Sequence, residues 1–231
     1  MPSENPDHLD PEKVAYWYFR LNGFFQMESF IVHPPGKGGQ RTDADLVGVR
    51  FPHRAERHFD DSDHVMGDDK DTLSLSDHTI DVAIVEVKTN MPCSLNGPWS
   101  NPERDNLQRV LAAIGCVPLE EVENVAEAVY RTGEFVDQAS TKRVRLIALG
   151  RDLNADLEES HPAVAQVTWK QALTFIGNRF YEFRTQKKDV KQWDEPGKLL
   201  HSLTDTHTSH GEFDLDQFLT SATAHMGIRE E

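Results

Sequence analysis

Cysteine is almost missing from this chain of 231 residues: Cys93 and Cys116 stand far apart and in no metal-ligand spacing. That excludes a disulfide framework and a cysteine zinc site, and leaves two thiols expected to be reduced and structural. Long hydrophobic runs are absent as well. No stretch approaches the roughly 20 apolar residues that a bilayer span needs, and residues 1–12 are polar and acidic rather than basic then apolar, unlike a secretory signal. A soluble, cytoplasmic protein with no membrane partner is the expectation. Positive charge is scarce too, with 24 Lys and Arg against 39 Asp and Glu, a formal net charge of -15. A generic nucleic-acid coat, which presents a basic surface, is thereby disfavoured.

The chain is long enough for one sizeable core. Residues 1–10 read as a flexible N-terminal tail, rich in Pro, Asp, Ser and Asn. Asp10, Pro11 and Glu12 form a helix start, with Asp10 as N-cap, Pro at the first helical position and an acid in the first turn. That helix is expected to run to Leu21 and stop at Asn22-Gly23. Strands are expected over 24–33, 42–51, 79–89 and 143–149, with an edge strand over 164–167. Helices are expected from Asn101-Pro102-Glu103 to Gly115, over 119–130, and from Thr168 to near Asp194. Trp17, Tyr18, Trp169, Phe175 and Phe180 fall at helical spacing and are expected in the core. Residues 204–211 read as a flexible linker before a small docking helix over 213–224. The glycine cluster Gly36 to Gly39 lacks the Gly-Lys-Ser/Thr ending of a phosphate-binding loop, so an unrelated nucleotide enzyme built on it is a weak third reading.

Residues 52–78 hold eight acids, Glu56, Asp60, Asp61, Asp63, Asp68, Asp69, Asp71 and Asp77, against Arg54, Arg57 and Lys70. The interval is too polar for core and too long for a turn, and reads as an inserted, partly mobile, solvated acidic loop. Its His53, His58, His64 and His78 fit no compact metal motif. The order helix, strand, strand, insert, strand, helix, helix, strand, helix predicts an α/β layer with a mixed central β-sheet flanked by helices.

The stretch Asp81 to Asn90 organises the reading. It runs apolar through Val82, Ala83, Ile84 and Val85 and then presents Glu86 and Lys88, which share one side of a strand. Unpaired charges beside a core cost several kcal/mol, roughly. Either they pair locally, or they serve chemistry. Hydrolysis of a phosphodiester needs a divalent cation to polarise the phosphate and acidify water. Magnesium takes oxygen ligands and keeps several waters, so two carboxylates suffice, and a lysine alongside orients water or balances charge on phosphorus. Asp45, Glu86 and Lys88 supply that set, with Glu12 on the first helix as a neighbour.

At these residues the sequence resembles the PD-(D/E)xK nuclease superfamily, the restriction-endonuclease-like fold. Its pattern of an Asp on one strand followed by Glu-x-Lys on the next is met by Asp45 and Glu86-Val87-Lys88. The resemblance is closest to the branch of Holliday-junction resolvases and YraN-like proteins, on Glu12-x-x-Ala15-x-x-Tyr18-Phe19-x-x-x-Gly23-Phe24, Asp43-Ala44-Asp45-Leu46-Val47 and Val85-Glu86-Val87-Lys88. It covers roughly residues 10–115. Pro11 stands in place of a glycine, Asp43 in place of a glutamate, and about forty residues separate Asp45 from Glu86. The resemblance implies a nuclease-like domain over 11–195 carrying the 52–78 insert, with a helical C-terminal extension over 196–231. It implies catalytic Asp45, Glu86, Lys88 and Glu12, Mg2+ or Mn2+ on Asp45 and Glu86, and DNA, ahead of RNA, as substrate in repair, recombination or defence. Gln108, on the helix after Glu-x-Lys, is a candidate for a substrate phosphate.

Plainer readings stand beside these. A first-turn acid complements the helix dipole, which accounts for Glu12. Asp43 and Asp81 read as solvated strand-edge acids, Asp43 in reserve should Asp45 point away. The basic stripe of residues 179–191, with Arg179, Arg184, Lys187 and Lys188, reads first as a soluble helix face and second as a nucleic-acid contact. The rival function is a catalytically inactive nuclease-fold module that binds nucleic acid or protein, motivated by the overall acidity. A homodimer or an accessory protein is a possible partner.

Overall fold

The computed structural model describes residues 8–33, 39–137, 139, 141–189 and 191–229. Most of the 1–10 tail and the glycine cluster through Gly38 lie outside the described residues. The first helix, α1 (Pro11–Leu21), begins as its sequence dictates: the Asp10 carboxylate accepts the Glu12 N–H at 2.9 Å. Gly23, at φ +81, turns the chain into β1 (Phe24–Val32), which pairs antiparallel with β2 (Thr42–Arg50). A short helix, α2 (Lys70–Leu73), precedes β3 (Ile80–Val87). Then come α3 (Gly97–Ser100), α4 (Asn106–Ile114), α5 (Val122–Thr132), β4 (Glu134–Asp137) and β5 (Lys142–Gly150). The chain continues through α6 (Ala155–Ser160), β6 (Ala165–Thr168) and α7 (Trp169–Glu182). It finishes with α8 (Glu195–Thr206), a small hairpin of β7 (Thr208–Ser209) and β8 (Glu212–Phe213), and α9 (Leu215–His225).

The architecture is α/β, with a mixed six-stranded sheet ordered β1-β2-β3-β5-β4 and β6 added beside β5. β3 lies antiparallel to β2 and parallel to β5. It is buried on both faces, which is why its sequence is a nearly continuous apolar run. Ala83 and Val85 join a core with Val14, Trp17 and Tyr18 of α1 and Leu173 and Ile176 of α7. Val82 and Ile84 join a second core with Leu107 and Leu111 of α4 and Val125 and Val129 of α5. Glu86 continues the even-numbered series toward that second side.

Alternation breaks where β1 and β2 reach the candidate acids. Ala44 belongs to the α4/α5 core and Leu46 to the α1/α7 core, although both are even-numbered. In β1 the same switch occurs between Phe24 and Phe30, across Ser29 at φ +48. An irregularity of this kind re-aims a side chain, here that of Asp45.

The 52–78 interval corrects the expectation of a mobile, solvated loop. Its Asp68 carboxylate binds the buried Arg50 guanidinium at 2.5 Å and also Arg54. Asp69 accepts the Tyr18 hydroxyl at 2.7 Å, and Met66 and Leu73 are buried. Asp81 is likewise no solvated acid: it is 2% exposed and paired with Arg143 and Arg145. Residues 204–211, expected as a flexible linker, instead complete α8 and enter the β7–β8 hairpin. The core holds Leu200 and Leu203 of α8 and Phe218 and Ala222 of α9, so the last two helices complete the main fold. At Gly197 of α8 an added Cβ would meet the Trp17 ring at 2.0 Å, so only glycine admits this approach. No sequence signal marks β4, α6 forms where residues 152–160 read as a polar connection, and α7 ends at Glu182 rather than near Asp194. Trp17, Tyr18, Trp169 and Phe180 are buried as expected, and Cys93 and Cys116 are free thiols. Among the described residues no helix is long and apolar enough to cross a membrane.

Candidate acid site at the end of the central strand

The β2–β3 ladder ends at Leu46 opposite Val85, and Asp45, the next residue of β2, lies close enough for its charge to act on Glu86. Asp45 turns across the strands, and its Oδ2 accepts the Val87 N–H at 2.6 Å. Glu86 is 2% exposed. Its Oε1 accepts the Lys88 ammonium, and its Oε2 accepts the Trp99 indole N–H at 2.8 Å. The Lys88 backbone N–H donates to Leu149 O at 2.9 Å, and the Trp169 indole donates to Lys88 O at 3.0 Å and Thr89 O at 3.1 Å. The strand end is therefore held on both sides of the lysine.

Burial raises the Glu86 carboxyl above its ordinary value, and the charge of Asp45 adds to this, while the bonds from Lys88 and Trp99 work against it. Asp45 is also raised, by burial first, against the Val87 N–H and Lys88. Glu12 is pushed up to about 7, chiefly by burial and then by the negative charges of Asp45, Asp10, Asp43 and Glu28. The neighbourhood thus carries more negative charge than its cations neutralise, a condition that a divalent ion relieves.

This has a consequence for pH. Glu12 takes its proton at about 7 when folded and at 4.5 ordinarily. Between those values the folded chain binds more protons than the unfolded one, so this group makes stability fall as pH rises from 4.5 to about 7. Glu12→Gln is expected to raise the melting temperature at pH 8 and to leave it unchanged at pH 4. An equal gain at both values would show that the charge of Glu12 is not the cause.

The other residues expected at the site fall elsewhere. Gln108 lines a cleft between α4 and α5 with Arg109, Glu123 and Tyr130, and none of the four site residues lines that cleft. Arg179 is 4% exposed, donates to Leu21 O at 3.2 Å and stacks over Phe175 and Phe183. It is an interior residue, which corrects its assignment to a surface stripe. Lys187 is half-buried at 3.9 Å from Glu56, whereas Arg184 and Lys188 are exposed. Trp99 was missing from the sequence reading. Its signal was only a donor-only aromatic in a polar loop, and its partner lies 13 residues away.

Among the described residues no group of three or more His, Cys, Asp or Glu side chains is arranged to hold a metal ion. Asp45 and Glu86 offer instead a two-carboxylate oxygen set, with Asp45 Oδ1 uncommitted among the described residues. That set fits magnesium, which keeps much of its water shell, better than a metal needing a full protein cage. Compared with known proteins, the chain matches no family model, no curated protein and no solved structure.

Proposed function

We propose that the chain is a metal-dependent nuclease of restriction-endonuclease-like fold that hydrolyses phosphodiester bonds, with DNA as substrate. The observation that carries this reading is the clamped carboxylate: Glu86, oriented by Lys88 and Trp99, lies beside Asp45, which accepts the neighbouring Val87 N–H, at one end of the sheet. Asp45 and Glu86 would hold magnesium or manganese, which when bound polarises the phosphate and acidifies water. The Lys88 ammonium orients the attacking water or offsets charge gathering on the phosphate oxygens. Trp99 fixes Glu86 Oε2 so that the carboxylate keeps one orientation. The Glu12 carboxyl, poised near neutrality, takes up a proton at the edge of the site.

A second reading has its own observation. Both Glu86 oxygens already have donors, so the pair is self-sufficient as a buried structural contact in a binding module without cleavage. Titration with Mn2+, followed by the paramagnetic resonance of the free ion, separates the two. The nuclease reading expects binding that Asp45→Asn and Glu86→Gln each weaken about tenfold or more. Asn at 45 retains an oxygen for the Val87 N–H, so the fold is kept. Manganese binding indifferent to both substitutions would favour the structural reading.

A further inference from the structure

At the far end of β2 from the acids lies a cleft of about 690 Å³ lined by Tyr16, Arg20, Phe25, Phe51, His53 and Arg54. Of its three phenylalanines Phe24 is buried, whereas Phe25 and Phe51 are held out in solvent at 72% and 55% exposure, with ring centroids 6.1 Å apart and planes inclined at 69°. The core does not account for them. Phe25 sits on β1, the sheet's edge strand, and Phe51 follows directly on β2.

The charge around this cleft opposes that of the whole chain. Arg20 lies over the Trp17 ring at 4.6 Å and makes no ion pair among the described residues. Arg54 binds Asp68 and Glu56. Behind them burial pushes the Lys187 ammonium below its ordinary value, and Arg179, Arg54 and Arg20 push the same way while Glu56 opposes. Among the residues that line the cleft Arg20 and Arg54 outnumber Glu56, in a protein of net charge -15. Exposed aromatic faces beside a local positive excess are the combination that holds unpaired bases and their phosphates. An acidic protein partner would find the same charge and the same rings, so failure to bind any oligonucleotide counts against the nucleic-acid reading.

We infer that this cleft binds single-stranded nucleic acid, one base stacking on Phe25 or Phe51 and a neighbouring phosphate meeting Arg20. The inference rests on the nucleic-acid part of the function proposed above and not on cleavage. From Phe51 back to Asp45 is six residues of β2, about 20 Å at roughly 3.3 Å each, or about six stacked nucleotides at roughly 3.4 Å. One strand of that length reaches both places.

The test is binding of a fluorescein-labelled oligothymidylate of about a dozen residues to the full chain, with chelator present and salt varied. Phe25→Leu and Phe51→Leu keep the apolar area and remove the ring faces; each is expected to weaken binding about tenfold. Arg20→Gln is expected to reduce the slope of log affinity against log salt by about 0.7. Unchanged affinity in both leucine variants would overturn the inference. So would a wild-type chain that self-associates through this patch in sedimentation and binds no oligonucleotide. Because no metal is present, loss of this binding site and loss of the nuclease reading show up separately.

Discussion

Lys88→Ala is expected to lower magnesium-dependent cleavage by about 10²–10³-fold, the usual cost of removing one donor aimed at developing charge. It should also destabilise the fold, because the Lys88 and Glu86 side chains are 16% and 3% exposed and form one buried pair. Breaking such a pair from one side costs about 3–5 kcal/mol. Glu86, left with Trp99 alone, escapes part of that cost by taking a proton, since burial already raises its carboxyl. The stability gap to the parent should therefore be wide at pH 8 and narrow toward pH 5, as read by urea denaturation. Adding Glu86→Gln to Lys88→Ala removes the stranded charge and should restore most of the stability without restoring cleavage. Cleavage at the parental rate by the Lys88→Ala chain would remove the lysine from the mechanism.

Asp81→Ala is expected to cost about 3–5 kcal/mol of stability. Its carboxylate takes Arg145 Nε at 2.9 Å and Arg145 Nη2 at 2.6 Å, with Arg143 Nη2 at 2.7 Å. Arg145 is 1% exposed, and burial first, with the charge of Arg143 after it, lowers its pKa against the pull of Asp81; without Asp81 it would be a stranded cation. Arg145 Nη1 also donates to Leu73 O at 2.7 Å, and Arg143 Nη2 to Ser74 O at 2.9 Å. The same pair thus ties the 52–78 insert to the central strands. Hydrogen exchange in that insert should quicken along with the loss of global stability. Replacing the pair together, as Asp81→Leu with Arg145→Met, should cost less than Asp81→Ala alone, since apolar substitutes for a buried ion pair are often neutral. A loss below 1 kcal/mol in Asp81→Ala would show that the arginines find other partners.

The elements that build the acid site were legible because their signals are local. Asp10 and Pro11 start α1, Gly23 ends its turn, and the apolar run from Val82 marks a strand covered on both faces. Bringing Asp45 to Glu86 needed β2 and β3 to be neighbours and also the break in alternation between Ala44 and Leu46, which no local signal marks. The misread parts depend on partners distant in sequence. Asp68 looks like a solvated acid until Arg50, 18 residues away, is brought to it. Asp81 meets Arg145 across 64 residues. Arg179 reads as part of a basic stripe, yet its helix turns it inward between Phe175 and Phe183 toward a carbonyl 158 residues away. A charge pattern along a helix does not say which charges the neighbouring elements will claim.

The most direct test of the central claim is cleavage of DNA by the purified chain, across single-stranded, duplex, nicked and branched substrates, with magnesium and with chelator. The account predicts cleavage of at least one substrate with magnesium, none with chelator, and none by the Glu86→Gln chain in either condition. Intact DNA throughout, from a protein that melts cooperatively, or cleavage that survives Glu86→Gln, would contradict it.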